Sequence, residues 1–473
     1  MLQHGINTYK DDTGIIAVTT AAVGIPFFIG AWPCHLGGGF TGKPQLANTF
    51  AEAEELGGYS TEWRFDDSKA PKWSLCQAMY AHFKLCRMSP AIFYNIFDPA
   101  VHKKAVSAQK YTVSNHIVEL PTDAMNTAAM LVINASATLV PGVDYEVYYS
   151  NGSLCVELLE TSTSYGATEL EISYEAAAPE LIKAEDVEMA VEKVELCRSV
   201  VGIVPDLLCA PGWSTNPTIA AVMNAKAPSI NGLFRAKAVV DIDTKTVGTY
   251  SEILAYKDTN GYGMEDMIVC WPMVRNGDYI FDLSVVVCGL IASVDSGNSD
   301  CPYESPSNKS VLITGAVDIL GNEINLSLPQ ADIVSVTDGV VTVINNGGWT
   351  LWGNYLGCYP KTTDVAKMFI CTNRTQDWIC NTFINTYWQY IDRPFTPVLR
   401  DAIINAFNSW LNGLTAEGKL YGGEIAYNEE LNPVTSIMAG MFRLDCSAAS
   451  PVPAQRVDMH AKYSVDMLSA ALS

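Results

Sequence analysis

Between residues 203 and 345 of this 473-residue chain, short β-prone apolar runs alternate with stretches of helical periodicity. Strands are expected at 203–210, 235–241, 268–271, 311–317 and 340–345, with helices at 218–227 and 283–294. That alternation points to α/β layers, in which helices cover a sheet whose strands are buried on both faces. The pattern extends upstream. Residues 21–32 and 91–96 read as buried strands, and 45–56 and 73–85 as helices. In 184–201, Val187, Ala190, Val191, Val194 and Cys197 fall on one helical face. It is interrupted once. From 111 to 176 helical spacing vanishes and short β-prone runs replace it. YEVYYSNGSLCVELL, residues 145–159, reads as a hairpin with Asn151-Gly152 at its tip, the pair that suits a two-residue turn with positive φ. The chain therefore reads as an α+β multidomain protein. An α/β unit of 21–110 and 177–350 would carry a small, sandwich-like all-β domain at 111–176.

Past residue 350 the chain turns helical and then β-prone again, and 351–454 reads as a further unit. A helix is expected at 374–391 and another at 397–412. Thr396 is placed to cap the second, with Pro397 at its first position. Leu399, Ala402, Ile403, Ala406, Phe407, Trp410 and Leu411 make its apolar face, with Arg400, Asp401, Asn405, Asn408 and Asn412 off it. Gly413 reads as its stop, and Gly418, Gly422 and Gly423 permit a reversal into strands near 424–428 and 437–445. Trp378, Trp388 and Trp410 read as core. In 455–467, Val457, Met459, Ala461, Tyr463, Val465 and Met467 alternate with polar residues, as in a half-buried strand. Residues 1–20 read as an extended arm, β-prone over 15–20.

Composition removes several functions. With 29 basic and 51 acidic residues the formal charge is −22, which repels phosphate backbones and argues against direct nucleic-acid binding. Residues 1–10 are polar, without a signal pattern, and the longest apolar run, 283–294, is too short to cross a bilayer. A soluble, cytosol-made chain with no membrane anchor is expected. The thirteen cysteines form no Cys-x-x-Cys pair and read as reduced, buried apolar residues. Five Asn-x-Ser/Thr matches then carry no meaning.

Chemistry is sought and not found. GGGFTGK at 37–43 begins like a phosphate-binding loop, but Pro44 stands where a magnesium-binding hydroxyl and a donating N–H are needed. Asp241, Asp243 and Glu252 take the first, third and last places of a calcium loop, yet Lys245 and Thr246 occupy its fifth and sixth. The six histidines make no zinc pattern, and there is no Gly-x-Ser-x-Gly elbow. No catalytic residue, metal or cofactor is expected. Trp349 and Trp352 suit a sugar platform or, more simply, a core beside a glycine turn.

Several segments together resemble the sheath proteins of contractile phage tails and phage-tail-like bacteriocins. They are HGINTY around Gly5, VGIPFFIGAWP at 23–33, WSLCQAMYAHF at 73–83, the run PDLLCAPGWSTNPTIAAVMNAKAPSINGLFRAKAVVDI at 205–242, SPSNKSVLITG at 305–315 and NGGWTLWGN at 346–354. The resemblance covers most of the chain and departs chiefly at 111–176 and 455–473. It implies a conserved domain built from both chain ends, about 1–35 and 350–473, lying near an inner tube. It implies stacked hexameric rings of identical copies, with tube, baseplate and tail-terminator proteins as partners, in a virion tail assembled in the bacterial cytoplasm. Terminal arms would cross to neighbours: His4, Ile6, Tyr9, Ile15, Ile16 and Val18 at one end, and Val457, Met459, Ala461, Tyr463 and Val465 in a C-terminal strand at the other. Arg400, Asn405 and Asn408 become candidates for tube contact; the alternative is that this polar face meets solvent or a sister copy. Two other readings stay open, an enzyme (hydrolase-like) on the α/β unit and a surface-layer or adhesin protein.

Overall fold

A computed structural model describes residues 17–472. The chain enters a central sheet with β1 (Pro26–Gly30), reverses through β2 (Gln45–Ala47) and helix α1 (Phe50–Gly57), and returns by α2 (Ser74–Met79) to β3 (Ala91–Asn95). It then leaves for a β-rich excursion whose main strands are β4 (Lys103–Thr112), β5 (Tyr145–Ser150), β6 (Ser153–Leu158) and β7 (Glu169–Ala177). Helices α3 (Ala184–Val191) and α4 (Pro217–Lys226) alternate with β8 (Leu207–Cys209), β9 (Lys237–Asp241) and β10 (Met267–Cys270), and α5 (Leu283–Gly297) follows. The sheet order is β10-β9-β8-β1-β3-β2, parallel except for β2. Phe27 stands beside Ile92, and Phe28 beside Cys209. Every residue of β1, β3, β9 and β10 is buried, as a sheet covered on both faces requires. Burying each of Phe27, Phe28 and Phe93 contributes about 1.5–3 kcal/mol.

The excursion forms two small sheets around Val118, Val132, Leu154, Val156 and Ile172. Asn151 (φ 51°) and Gly152 (φ 79°) make the turn between β5 and β6, both in the left-handed region that such a hairpin needs. The β structure begins at Lys103, upstream of the expected 111.

Past residue 369 the main elements are α6 (Ile370–Tyr387), α7 (Pro397–Ala416), the ribbon of β11 (Gly422–Ala426) and β12 (Asp445–Ala449), and α8 (Val465–Leu472). The core of α6, α7 and the ribbon joins Trp378, Ile403, Phe407, Leu411 and Ile425 to Val18, Ala21 and Val23, so the start of the described chain packs with α6 and α7.

Several expectations are corrected. Residues 45–56 are not one helix: Thr49 caps α1 by accepting from the Glu52 N–H at 3.1 Å, which leaves 45–47 to pair with β3. The helix expected at 73–85 changes to a π-helix at Tyr80–Leu85. Gly413 does not stop α7, which runs to Ala416; the reversal waits for Gly418 at φ 76°. Residues 437–444 are not a strand: the helical turn Val434–Met438 and a loop precede β12, which begins only at Asp445. Trp388 is not core: it is 54 % exposed, past the end of α6. The loop at 37–43 leads into β2 rather than a helix, so no helix N-terminus waits for a phosphate.

Candidate assembly surface

Helix α6 is where the late elements lock to the parallel sheet. Arg374 is fully buried. Its Nη2 donates to Asp206 Oδ2 and to Asp295 Oδ2, each at 2.6 Å, and its Nη1 to Asp295 Oδ1 at 3.1 Å. Asp206 in turn accepts the Ile25 N–H at 2.8 Å. One turn along α6, Asp377 pairs with Lys237 at 2.5 Å, and Lys237 also pairs with Asp266. Ile25, Asp206 and Asp266 immediately precede β1, β8 and β10, and Lys237 opens β9. The two ion clusters therefore tie α6 across the amino ends of four parallel strands. Burial raises the Asp295 carboxyl to about 6 even against the opposing pull of Arg374. For Arg374 burial disfavours the charge, but the carboxylates of Asp295 and Asp206 more than offset it. Sequence reading missed these groups. Their signal was two charges at i and i+3 on the same helical face as Trp378, where a solvated residue is not expected.

The chain start is laced along the same helix. The Thr19 N–H donates to Thr386 Oγ1 and the Ala21 N–H to Thr382 Oγ1, both at 3.0 Å, while Trp378 Nε1 donates to the Ala21 carbonyl at 3.0 Å. Of the arm residues named from sequence, Val18 is half-buried in this core. His4, Ile6, Tyr9, Ile15 and Ile16 lie outside the described residues.

Helix α7 buries Ile403, Phe407, Leu411 and Leu414, and Thr396 caps it by accepting from the Leu399 N–H at 3.2 Å. Its three polar candidates have different fates. Arg400 pairs with Asp401 at 2.8 Å and lies over the Tyr427 ring at 4.9 Å. Asn405 is exposed. Asn408 is not turned outward: its carboxamide binds both backbone groups of Ile425, at 2.7 and 3.0 Å.

The C-terminal segment is corrected most. No strand forms at 455–464, and 465–472 is helical. Residues 451–456 line a groove of about 810 Å³ with Tyr303, Leu328 and Trp352. Beyond it Val457, Met459, Ala461, Tyr463 and Val465 are all exposed, Met459 at 87 % and Tyr463 at 79 %. Alternation selects a strand only where an edge and an apolar face exist to receive it; among the described residues this segment meets neither.

At the opposite, carboxyl end of the sheet, Asp241 is buried. It accepts from the Ser284 N–H at 2.9 Å and from the hydroxyls of Ser284 and Ser214. Burial, with the neighbouring charge of Asp282, raises it to about 7 against those hydrogen bonds. The serines donate to a carboxylate, and the adjoining cavity of about 160 Å³ has no histidine in its lining, so no activated nucleophile is assembled there. Of the calcium-loop residues, Asp243 accepts from Lys245 and Thr246, and Glu252 from the Thr249 N–H. Among the described residues no group of three His, Cys, Asp or Glu side chains is placed to hold a metal, and no helix is long and apolar enough to cross a membrane. Because the folded chain binds the Asp241 proton more tightly than the unfolded one, this group lowers stability as pH rises from about 4 through about 7. Asp241→Asn is expected to be more stable than the parent at pH 8, by about 1–2 kcal/mol, and to lose that advantage by pH 4. Urea midpoints at both pH values test this; a variant less stable at pH 8 contradicts it.

No family model matches the chain. The sequence is 24 % identical to the tail sheath protein of Burkholderia phage BcepMu, over 98 % of this chain and 97 % of that one. It is 30 % identical to the major tail sheath protein of Serratia phage KSP20, over 43 % of this chain and 51 % of that one. Among solved structures, the sheath complex of an extracellular contractile injection system in its contracted state matches with a TM-score of 0.59, at 12 % identity, over 99 % of each chain. The sheath tail protein of Desulfitobacterium hafniense matches with a TM-score of 0.51, at 11 % identity, over 90 % of this chain and 93 % of that one. The mixed α/β, multidomain fold is thus shared with sheath structures, and the relatives named tail sheath proteins bear out the resemblance read from the sequence.

Proposed function

We propose that this chain, a contractile tail sheath protein by that end-to-end likeness, polymerises as stacked hexameric rings around an inner tail tube and contracts to drive the tube forward. The observation that carries the assembly reading is the segment 455–463, whose apolar residues are exposed and whose backbone finds no partner among the described residues. A free strand of this kind satisfies its N–H and C=O groups by joining another copy's sheet. Such head-to-tail contacts close into rings where the rotation between copies allows it and otherwise extend into open helical assemblies. The two ends of the chain would make one domain around α6 near the tube, with the β excursion farther out. Baseplate and tail-terminator proteins would bound the polymer in the virion tail, assembled in the host cytoplasm. Contraction is then a repacking of rigid bodies linked by extended arms, in which a small gain per copy sums along the polymer. Negative-stain microscopy of the purified chain tests the reading: hollow striated cylinders are expected. A stable monomer at all concentrations, with catalytic turnover, would favour an enzyme instead.

We assign tube contact to Arg400 and Asn405 on α7, since Asn408 is engaged internally. Arg400→Glu is expected to leave the fold intact and to reduce retention of the tube in purified tails several-fold. Tails that assemble and hold the tube normally would remove this assignment.

A further inference from the structure

The ribbon of β11 and β12 has two edges that differ chemically. In an antiparallel ladder the N–H and C=O of one residue point to the same side. The Ile425 N–H donates to Asn408 Oδ1 at 2.7 Å, and its carbonyl accepts from Asn408 Nδ2 at 3.0 Å. Both groups of Ile425 therefore face α7, away from β12. The carboxamide of Asn408 stands where the next strand's peptide group would stand. At Gly423, two residues back on β11, an added Cβ would lie 3.2 Å from Leu411, so α7 also packs against the face of the ribbon. The β11 edge is closed at Ile425.

Cys446 lies directly across from Ile425, so its N–H and C=O point away from β11. Among the described residues neither has a backbone or side-chain partner. Beside this edge runs an apolar groove of about 650 Å³, lined by Phe383, Ile384, Leu444 and Ala448 among others. Edge and groove together offer a ladder and a face, the two things a half-buried strand needs.

The chain also carries a segment with the pattern of a strand and no ladder of its own. Val457, Met459, Ala461 and Tyr463 alternate with polar residues and are exposed. The segment does not return to its own β12. Residues 451–456 follow a different groove, against Tyr303, Leu328 and Trp352. Pro451 and Pro453 lack the N–H that an immediate ladder would use. We infer that the Asn408 carboxamide plugs the β11 edge and so directs residues 457–463 of a second copy to the β12 edge at Cys446. The inference rests on the interlinked-sheath reading and adds to it a residue that selects the edge.

Residue-resolved hydrogen exchange on the purified full-length chain, with and without a synthetic peptide of residues 454–464, tests it. The peptide is expected to slow exchange of the Cys446 and Ala448 amides at least tenfold and to leave Ile425 unchanged. Protection at Gly423 or Ile425 instead overturns the assigned edge. Protection of Cys446 by a peptide of residues 3–18, and not by 454–464, overturns the assigned occupant. If neither peptide protects any edge, the interlinked reading fails with it. In Asn408→Ala, Ile425 is expected to exchange at least tenfold faster, and the 454–464 peptide to protect both edges; an alanine variant that still directs the peptide to β12 alone overturns the plug. The wild-type measurement decides the edge even where the alanine variant does not fold.

Discussion

Replacing Arg374 with methionine is expected to destabilise the chain by about 3–5 kcal/mol at pH 8. The guanidinium sits between Asp206 and Asp295, and removing it leaves two carboxylates in a site that excludes water. Asp295 shows what that site does to a charge, since burial holds it up at about 6 even with Arg374 present. The deficit should shrink on acidification. Without Arg374 the folded-state Asp295 carboxyl loses its opposing cation and binds its proton more tightly still, so the variant gains stability as pH falls from 8 towards 4, relative to the parent. Adding Asp295→Asn to Arg374→Met should recover part of the loss, because the two sites share one network. Urea midpoints for the parent and both variants at pH 8 and pH 5 make the check. A single variant with an unchanged midpoint at pH 8 would mean that α6 is not held to the sheet by this cluster. Loss here also has an assembly consequence, since α6 anchors residues 19–21 through Thr382, Thr386 and Trp378, and with them the point from which the chain start departs.

The parts legible in the sequence were those whose partners are local or generic. Helix α5 and the run of short apolar strands follow from composition over a few residues, and the Asn151-Gly152 hairpin from a turn that only certain residues adopt. The cap at Thr396 was readable for the same reason. What escaped depends on distant residues. Nothing in the spacing of Arg374 says that Asp206, 168 residues away, will meet it. Asn408 reads as one more polar residue off an apolar face. Its amide finds Ile425 only because the chain reverses after α7 and returns antiparallel to it. Gly413 was given too much weight: a glycine within a helix costs about 1 kcal/mol relative to alanine, and the packing of Leu411 and Leu414 on either side exceeds that. The tail shows the converse. Its period-2 pattern is clear, but a pattern names a conformation only together with the surface that receives it, and among the described residues the tail lies on no such surface of its own chain.

Deleting residues 455–473 is therefore expected to change little in the subunit and everything in the polymer. The removed segment is exposed over its described part except at the half-buried Ser464, so its loss should shift stability by less than about 0.5 kcal/mol. Under conditions where the full chain forms cylinders, the truncated chain should remain as discrete particles in electron micrographs. Normal cylinders from the truncated chain would count decisively against exchange of the tail between copies. Point changes sharpen the argument, because strand addition must respect the pleat. Met459→Asp with Ala461→Asp places charges on the face bearing Val457 and Tyr463, and should abolish assembly as the deletion does. Asp458→Asn with Lys462→Gln changes the opposite face and should leave cylinders intact. A tail acting only as a flexible tether would respond equally to both pairs, whereas a strand laid into a neighbour's groove responds only to the first.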